Sequence, residues 1–141
     1  MIDVVLDTKV LVAAMRSREG ASFRLLRFLG QEELPFRPCL SVPLVLEYES
    51  GLLRKGGLGA AEVEVLLDYL CAIGNLREIY FLWRPFLRDP SDEMVLEVGV
   101  EAEADAIVTH NVRDFSGVEE RFSIRIVRPG AFLLELKEAG S

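Results

Sequence analysis

The apolar run Ile2-Asp3-Val4-Val5-Leu6 is cut off abruptly by Asp7-Thr8, and it is the first of several such runs. Along the chain, runs of strand length alternate with longer segments of helical period. A strand that must cross a helix before the next strand runs parallel to it, so the alternation calls for a mainly parallel sheet with helices on both faces. Right-handed crossovers then gather the carboxyl ends of the strands at one edge, where open α/β folds place their chemistry. The expected fold class is α/β.

The first strand spans residues 2–6, and residues 8–18 read as a transition with an apolar patch at Val10-Leu11-Val12-Ala13-Ala14. A helix follows at 20–31, with Phe23, Leu26 and Gly30 on one face and Arg24 and Arg27 on the other. Pro35 and Pro38 break the chain around a short strand at 37–40. Ser41 is a good N-cap and Pro43 suits a first helical turn; that helix runs to Arg54 and stops at Gly56-Gly57. Residues 59–73 form an amphipathic helix with Val63, Leu66, Leu67 and Leu70 as its stripe, and 76–82 reads as a strand. Asp89 caps a helix that starts at Pro90 and runs to Glu103. Strands at 106–109 and 123–127 and a terminal helical stretch at 131–137 complete the pattern. With no repeat, low-complexity stretch or linker, residues 1–141 read as one domain.

Half of the residues are hydrophobic, yet no apolar run reaches the ~18 residues that a membrane span needs. Met1-Ile2-Asp3 has no basic region of the secretory kind, so no membrane association and a cytoplasmic location are expected. Cys39 and Cys71 sit in apolar surroundings, as buried free thiols do, and no Cys/His spacing suggests structural zinc. The net charge of −7 opposes any general attraction to nucleic acid. A nuclease then needs its cations grouped around its site, and Arg16, Arg18, Arg54, Lys55, Arg84, Arg88 and Arg113 are the candidates.

Four carboxylates stand where an apolar segment meets a polar boundary: Asp7, Glu47, Asp92 and Asp114. Gathered at one sheet edge they repel one another unless a cation neutralises them, which points to a divalent metal and an anionic substrate. Leu44, Val45 and Leu46 precede Glu47, so it is expected to interrupt a buried stretch, where a carboxylate needs a partner. Glu49 lies about 200° around the same helix and is expected in solvent. Asp92 and Glu93 compete for the third position, and Asp92 lies one turn before Leu96 on the inward side. Asp89 reads as a cap and His110, the one histidine, as an exposed polar residue. No Ser/His/Asp set is visible.

Four blocks together carry a resemblance. Val4-Val5-Leu6-Asp7-Thr8-Lys9-Val10-Leu11-Val12 is similar to the opening strand of PIN-domain proteins, Ser41-Val42-Pro43-Leu44-Val45-Leu46-Glu47-Tyr48 to their second acidic motif, and Arg88-Asp89-Pro90-Ser91-Asp92-Glu93-Met94-Val95-Leu96 to the third. Ala104-Asp105-Ala106-Ile107-Val108-Thr109-His110-Asn111-Val112-Arg113-Asp114-Phe115 resembles the fourth, and the order is the family's. The resemblance implies an α/β/α sandwich and hydrolysis of RNA phosphodiesters with Mg²⁺ or Mn²⁺. It implies Asp7, Glu47, Asp92 and Asp114 as catalytic acids, with Asp7, Asp92 and Asp114 on the metal. Thr8, Lys9, Glu93, Thr109 and Asn111 are implied in support. The subgroup that the chain is most similar to comprises toxins of toxin–antitoxin pairs, which implies an antitoxin partner and a homodimer, with the helices at 20–31 and 59–73 as candidate faces.

Two positions depart from the family pattern. Asn111 stands where many members carry an acid two residues after the Thr, and Lys9 stands where Asn is usual. An ammonium at position 9 either sits among the carboxylates in place of part of a cation, points to a substrate phosphate, or swings to solvent. The alternative function is therefore a PIN-fold module that binds a peptide or RNA without turnover. A phosphoryl-transfer fold of the phosphatase or receiver type fits less well, since Asp-x-Asp is lacking at position 9 and no Lys follows Val108.

Overall fold

A computed structural model describes residues 2–139. Five strands make one sheet: β1 (Ile2–Leu6), β2 (Phe36–Leu40), β3 (Asn75–Leu76), β4 (Ala106–Val108) and β5 (Arg125–Val127). Their order is β3-β2-β1-β4-β5, and every neighbouring pair is parallel. Seven α-helices flank it: α1 (Thr8–Arg16), α2 (Ala21–Arg27), α3 (Val42–Lys55), α4 (Ala60–Ile73), α5 (Pro90–Glu101), α6 (Val118–Phe122) and α7 (Pro129–Ala139). Short 3-10 turns occupy Phe28–Gly30 and Val112–Phe115.

β1 is central because it is apolar on both faces: Val4, Val5 and Leu6 are all buried, as are Ile107 and Val108 beside them. From β1 the chain moves outward to β2 and β3, then returns to the other side of β1 for β4 and β5. The reversal leaves a crevice beyond the carboxyl ends of β1 and β4, where α/β sheets bind ligands. None of the helices among the described residues is long and apolar enough to cross a membrane.

Four expectations need correction. Residues 8–16 are a helix and not a transition. The Val10 N–H takes the Asp7 carbonyl at 2.9 Å, and Val10, Leu11 and Ala14 share the buried face. The β-branched residues there masked a helical period. The strand expected at 76–82 ends at Leu76: β2 stops at Leu40, Arg77 N–H takes the last carbonyl at 2.8 Å, and the residues beyond have no partner to pair with. In α2 the inward residues are Ser22 and Leu25, followed by Leu29, while Phe23 and Leu26 are only half-buried. The turn at 112–115 and the helix α6 had no counterpart in the sequence reading.

The capping chemistry matches its residues. Ser41 Oγ accepts from Leu44 N–H at 3.2 Å at the start of α3, and Asp89 accepts from Ser91 N–H at 2.9 Å at the start of α5.

Candidate functional site

Asp7 follows directly on β1 and is the residue that opens α1, which places it at the crevice. The Asp7 N–H bonds to the Val108 carbonyl at 2.9 Å, so the backbone of Asp7 is fixed by the neighbouring strand β4. From α3, the Tyr48 hydroxyl donates to the Leu6 carbonyl at 2.6 Å, and Tyr48 is fully buried. Two elements thereby hold the peptide just ahead of the carboxylate.

Thr109, the first residue after β4, completes the positioning. Its hydroxyl donates to Asp7 Oδ2 at 2.8 Å and accepts the Asn111 N–H at 3.1 Å. The second bond orients the hydroxyl, so its proton points to Asp7. Burial raises the proton affinity of Asp7, and the Thr109 bond and the charge of Lys9 oppose it. The N–H groups of Thr8 and Lys9 lie near enough to favour the ionised form, although neither makes a capping bond to the side chain.

Asp92, in the first turn of α5, faces Asp7 across a recess of about 200 Å³ that Glu47, Lys9, Arg54, Asp89 and Ser91 also line. Its carboxyl is pushed up to about 7, first by burial, then by the charges of Asp7, Asp89 and Asp114, with Lys9 working against them. Two buried carboxyl groups, Asp7 and Asp92, each 3% exposed, thus share a site where full ionisation is resisted.

Glu47 reaches the recess half-buried and accepts a hydrogen bond from Ser91 Oγ at 2.8 Å. The expected reason for its importance was wrong: Leu46 is 58% exposed and Val45 half-buried, so Glu47 does not interrupt a buried stretch. Glu49 is in solvent. Asp114 is exposed and stands in an adjoining trough with Asp92, Asp89, Arg88, Arg113 and Phe86. Asp89 and Asp92 line both hollows, so the trough of Asp114 adjoins the recess of Asp7. Asn111 is exposed, and its backbone supports Thr109.

Glu93 points elsewhere. Its Oε1 accepts the N–H groups of Phe86 and Leu87 at 2.8 and 2.6 Å, which ties the preceding loop to α5 and separates it from Asp92 in role. His110 is half-buried, 3.0 Å from Ser22 Oγ, and not the exposed residue expected. Lys9 is exposed at the mouth of the recess and makes no ion pair among the described residues, but its charge acts on both Asp7 and Asp92.

Ser91, Asp89 and Gly51 line the recess and were not singled out from sequence for this role, whereas Thr8 was implied in support. Asp89 reads as a cap and Ser91 only as part of the third block, and each serves the recess as well. Gly51 lines it inside α3, where a Cβ would lie 2.8 Å from Thr8 Cγ2, so only glycine lets α3 approach α1 this closely. A glycine within a helical pattern is the signal that was available. Thr8 contributes a buried hydroxyl that has no hydrogen-bond partner.

The donor set suits one kind of cation. Carboxylates, a hydroxyl and open water positions match a hard divalent ion that takes one or two carboxylates and keeps much of its water shell. The set does not match zinc, which takes nitrogen and sulfur ligands in a closed tetrahedron. Among the described residues, no three His, Cys, Asp or Glu side chains are gathered around one point. Of the acids, Asp7 and Asp92 would hold such an ion, and Asp114 lines the adjoining trough with Asp92.

Comparison with known proteins identifies the family and the fold. The PIN-domain family model matches residues 3–113, from β1 through Arg113 in the acid trough. VapBC-1 from nontypeable Haemophilus influenzae shares the fold with a TM-score of 0.61 at 16% identity, covering 91% of this chain and 98% of that one. VapBC2 from Rickettsia felis, bound to a DNA fragment from its promoter, gives 0.57 at 12% identity over 90% of this chain and 98% of that one. A comparison with curated proteins returns no match. With its parallel sheet, its acids beyond the ends of β1 and β4 and a family match over most of its length, the chain belongs to the PIN-domain family.

Proposed function

We propose that this protein is an endoribonuclease dependent on Mg²⁺ or Mn²⁺, acting as the toxin of a toxin–antitoxin pair. The observation that carries the reading is the distribution of charge around the acids. The chain is acidic overall at −7, yet cations gather on both flanks of the recess. On one side Arg54 and Lys55 line the recess itself and continue with Arg16 into a neighbouring basic hollow. On the other side Arg88 and Arg113 line the trough of Asp92 and Asp114. A phosphate backbone laid across the acids meets positive charge before and after them, which suits a polyanionic substrate. Of the remaining candidates, Arg84 is held by Glu97 at 2.9 Å and is unavailable to substrate.

Each residue has a task in this reading. Asp7 and Asp92 hold the cation, Thr109 aims Asp7 and favours its ionised form, and Glu47 with Ser91 closes the recess behind them. Asp114 stands where a leaving strand passes. When bound, the divalent cation supplies a water of lowered pKa and neutralises charge on the phosphoryl oxygens. Lys9 sits at the mouth, where an ammonium contacts phosphate without displacing the ion. The VapBC likeness supports an antitoxin partner, whose segment would have to cover this edge, and a homodimer belongs to the same proposal.

The test is cleavage of single-stranded RNA by purified protein with EDTA, then with Mn²⁺ restored. Cleavage lost in EDTA, regained with Mn²⁺ and abolished in Asp7→Asn is the expected result. A second reading, binding without turnover, rests on Lys9: it gains if wild type is inert and Lys9→Asn both binds Mn²⁺ and cuts.

A further inference from the structure

The loop between β3 and α5 leaves the sheet and displays aromatic side chains where most loops display polar ones. Tyr80, Phe81 and Leu82 are 77%, 58% and 61% exposed. The rings continue across to α6: Phe81 packs on Trp83 with centroids 4.5 Å apart, Trp83 on Phe122 at 5.1 Å, and Phe122 on Phe86 at 5.2 Å. The Arg121 guanidinium lies over both Trp83 and Phe122, at 5.5 and 5.2 Å from their centroids.

This ledge is braced from beneath. Glu93 holds the N–H groups of Phe86 and Leu87, and Glu97, 4% exposed, takes Arg84 through two bonds of 2.9 and 3.0 Å. Two of the three buried carboxylates of α5, Glu93 and Glu97, are thus committed to fixing the loop. A braced ledge presents its rings without an ordering cost at binding.

We propose that this ledge is a stacking platform for unpaired bases of the RNA strand that runs out of the carboxylate trough. The inference rests on the ribonuclease reading and names where the strand goes next. Two observations favour nucleic acid over a protein partner. Phe86 belongs to both structures, since its ring packs on Phe122 and also lines the trough with Asp92 and Asp114. Cations accompany the path throughout: Arg88 and Arg113 in the trough, then Arg121 on the ledge. Rings interleaved with cations along one path recognise single strands by base stacking and phosphate contact together. Bases leaving the acids pass Phe86, then Phe122 and Trp83.

Trp83 is the one tryptophan of the chain and reports on the ledge directly. The probe is a single-stranded oligouridylate of about eight nucleotides, within the usual site size, titrated in EDTA so that no cleavage intervenes. Stacking predicts quenching of Trp83 fluorescence. Phe81→Ala weakens binding by roughly 5- to 100-fold, the range for one lost base–aromatic stack, and Phe81→Tyr keeps it. An oligomer of equal length with abasic positions binds more weakly and does not quench. Equal binding and quenching by the abasic oligomer overturn the platform, and so does unchanged affinity in Phe81→Ala. If Phe81→Ala leaves RNA binding intact but dissociates an assembly in light scattering, the ledge is a protein interface and the proposal fails. Cleavage without quenching refutes the platform alone. Quenching with no metal-dependent cleavage supports the platform and refutes the ribonuclease reading instead.

Discussion

Asp92 is the residue whose chemistry is easiest to measure. In the folded, metal-free protein it holds its proton up to about pH 7, whereas in the unfolded chain it ionises near 3.8. Between these values the folded state binds more protons than the unfolded one, so its stability falls as pH rises from about 4 to 7. Asp7 is shifted in the same direction. Asp92→Asn removes the Asp92 share of this loss. At pH 8 without metal we expect the variant to melt about 3–5 °C higher than wild type, the shift that ~1 kcal/mol gives in a chain of this size. The difference disappears near pH 4, and a thermal melt at both pH values checks it. Thr109→Val deletes the donor that opposes the upward shift of Asp7 and strands the Asn111 N–H. Loss of such a supporting bond weakens metal binding or activity by about 10- to 100-fold, measurable as a shifted Mn²⁺ dependence.

At the scale of elements, the site depends on how closely α3 approaches α1. Gly51→Ala places a methyl 2.8 Å from Thr8 Cγ2, next to Asp7. Overpacking of this kind costs typically 1–3 kcal/mol, so a lowered denaturation midpoint with an unchanged slope is expected. The close approach was not legible in the sequence, because a glycine inside a helix announces a tight contact but not its partner. The strands, the long helices and their caps were legible, since Ser41, Asp89, Pro90 and the Gly56-Gly57 stop each act through local chemistry. The false strand at 76–82 fails for a reason that no local pattern carries. Its aromatic, β-branched composition is strand-like, but β2 ends at Leu40 and offers it no further carbonyls. Likewise Glu93 and Asp92 are neighbours in sequence, and only the fold separates a loop brace from a recess carboxyl.

For the whole molecule, the arrangement is two adjoining acidic hollows bordered by cations on a protein of net charge −7. The acids were visible as four separated motifs, while the grouping of Arg16, Arg54, Lys55, Arg88 and Arg113 came only from the folded chain. If all five contact phosphates, log Kobs for single-stranded RNA falls with log salt at a slope of about −3.5. Replacing both Arg54 and Lys55 with Gln makes that slope shallower by about 1.4. Whether Asp7 and Asp92 together hold a divalent cation is decided by a calorimetric titration of the protein with Mn²⁺ at pH 7. Saturable binding to wild type is expected, accompanied by proton release from the shared acids and lost in Asp7→Asn. Absence of binding in wild type, or equal binding in Asp7→Asn, rules the shared cation out.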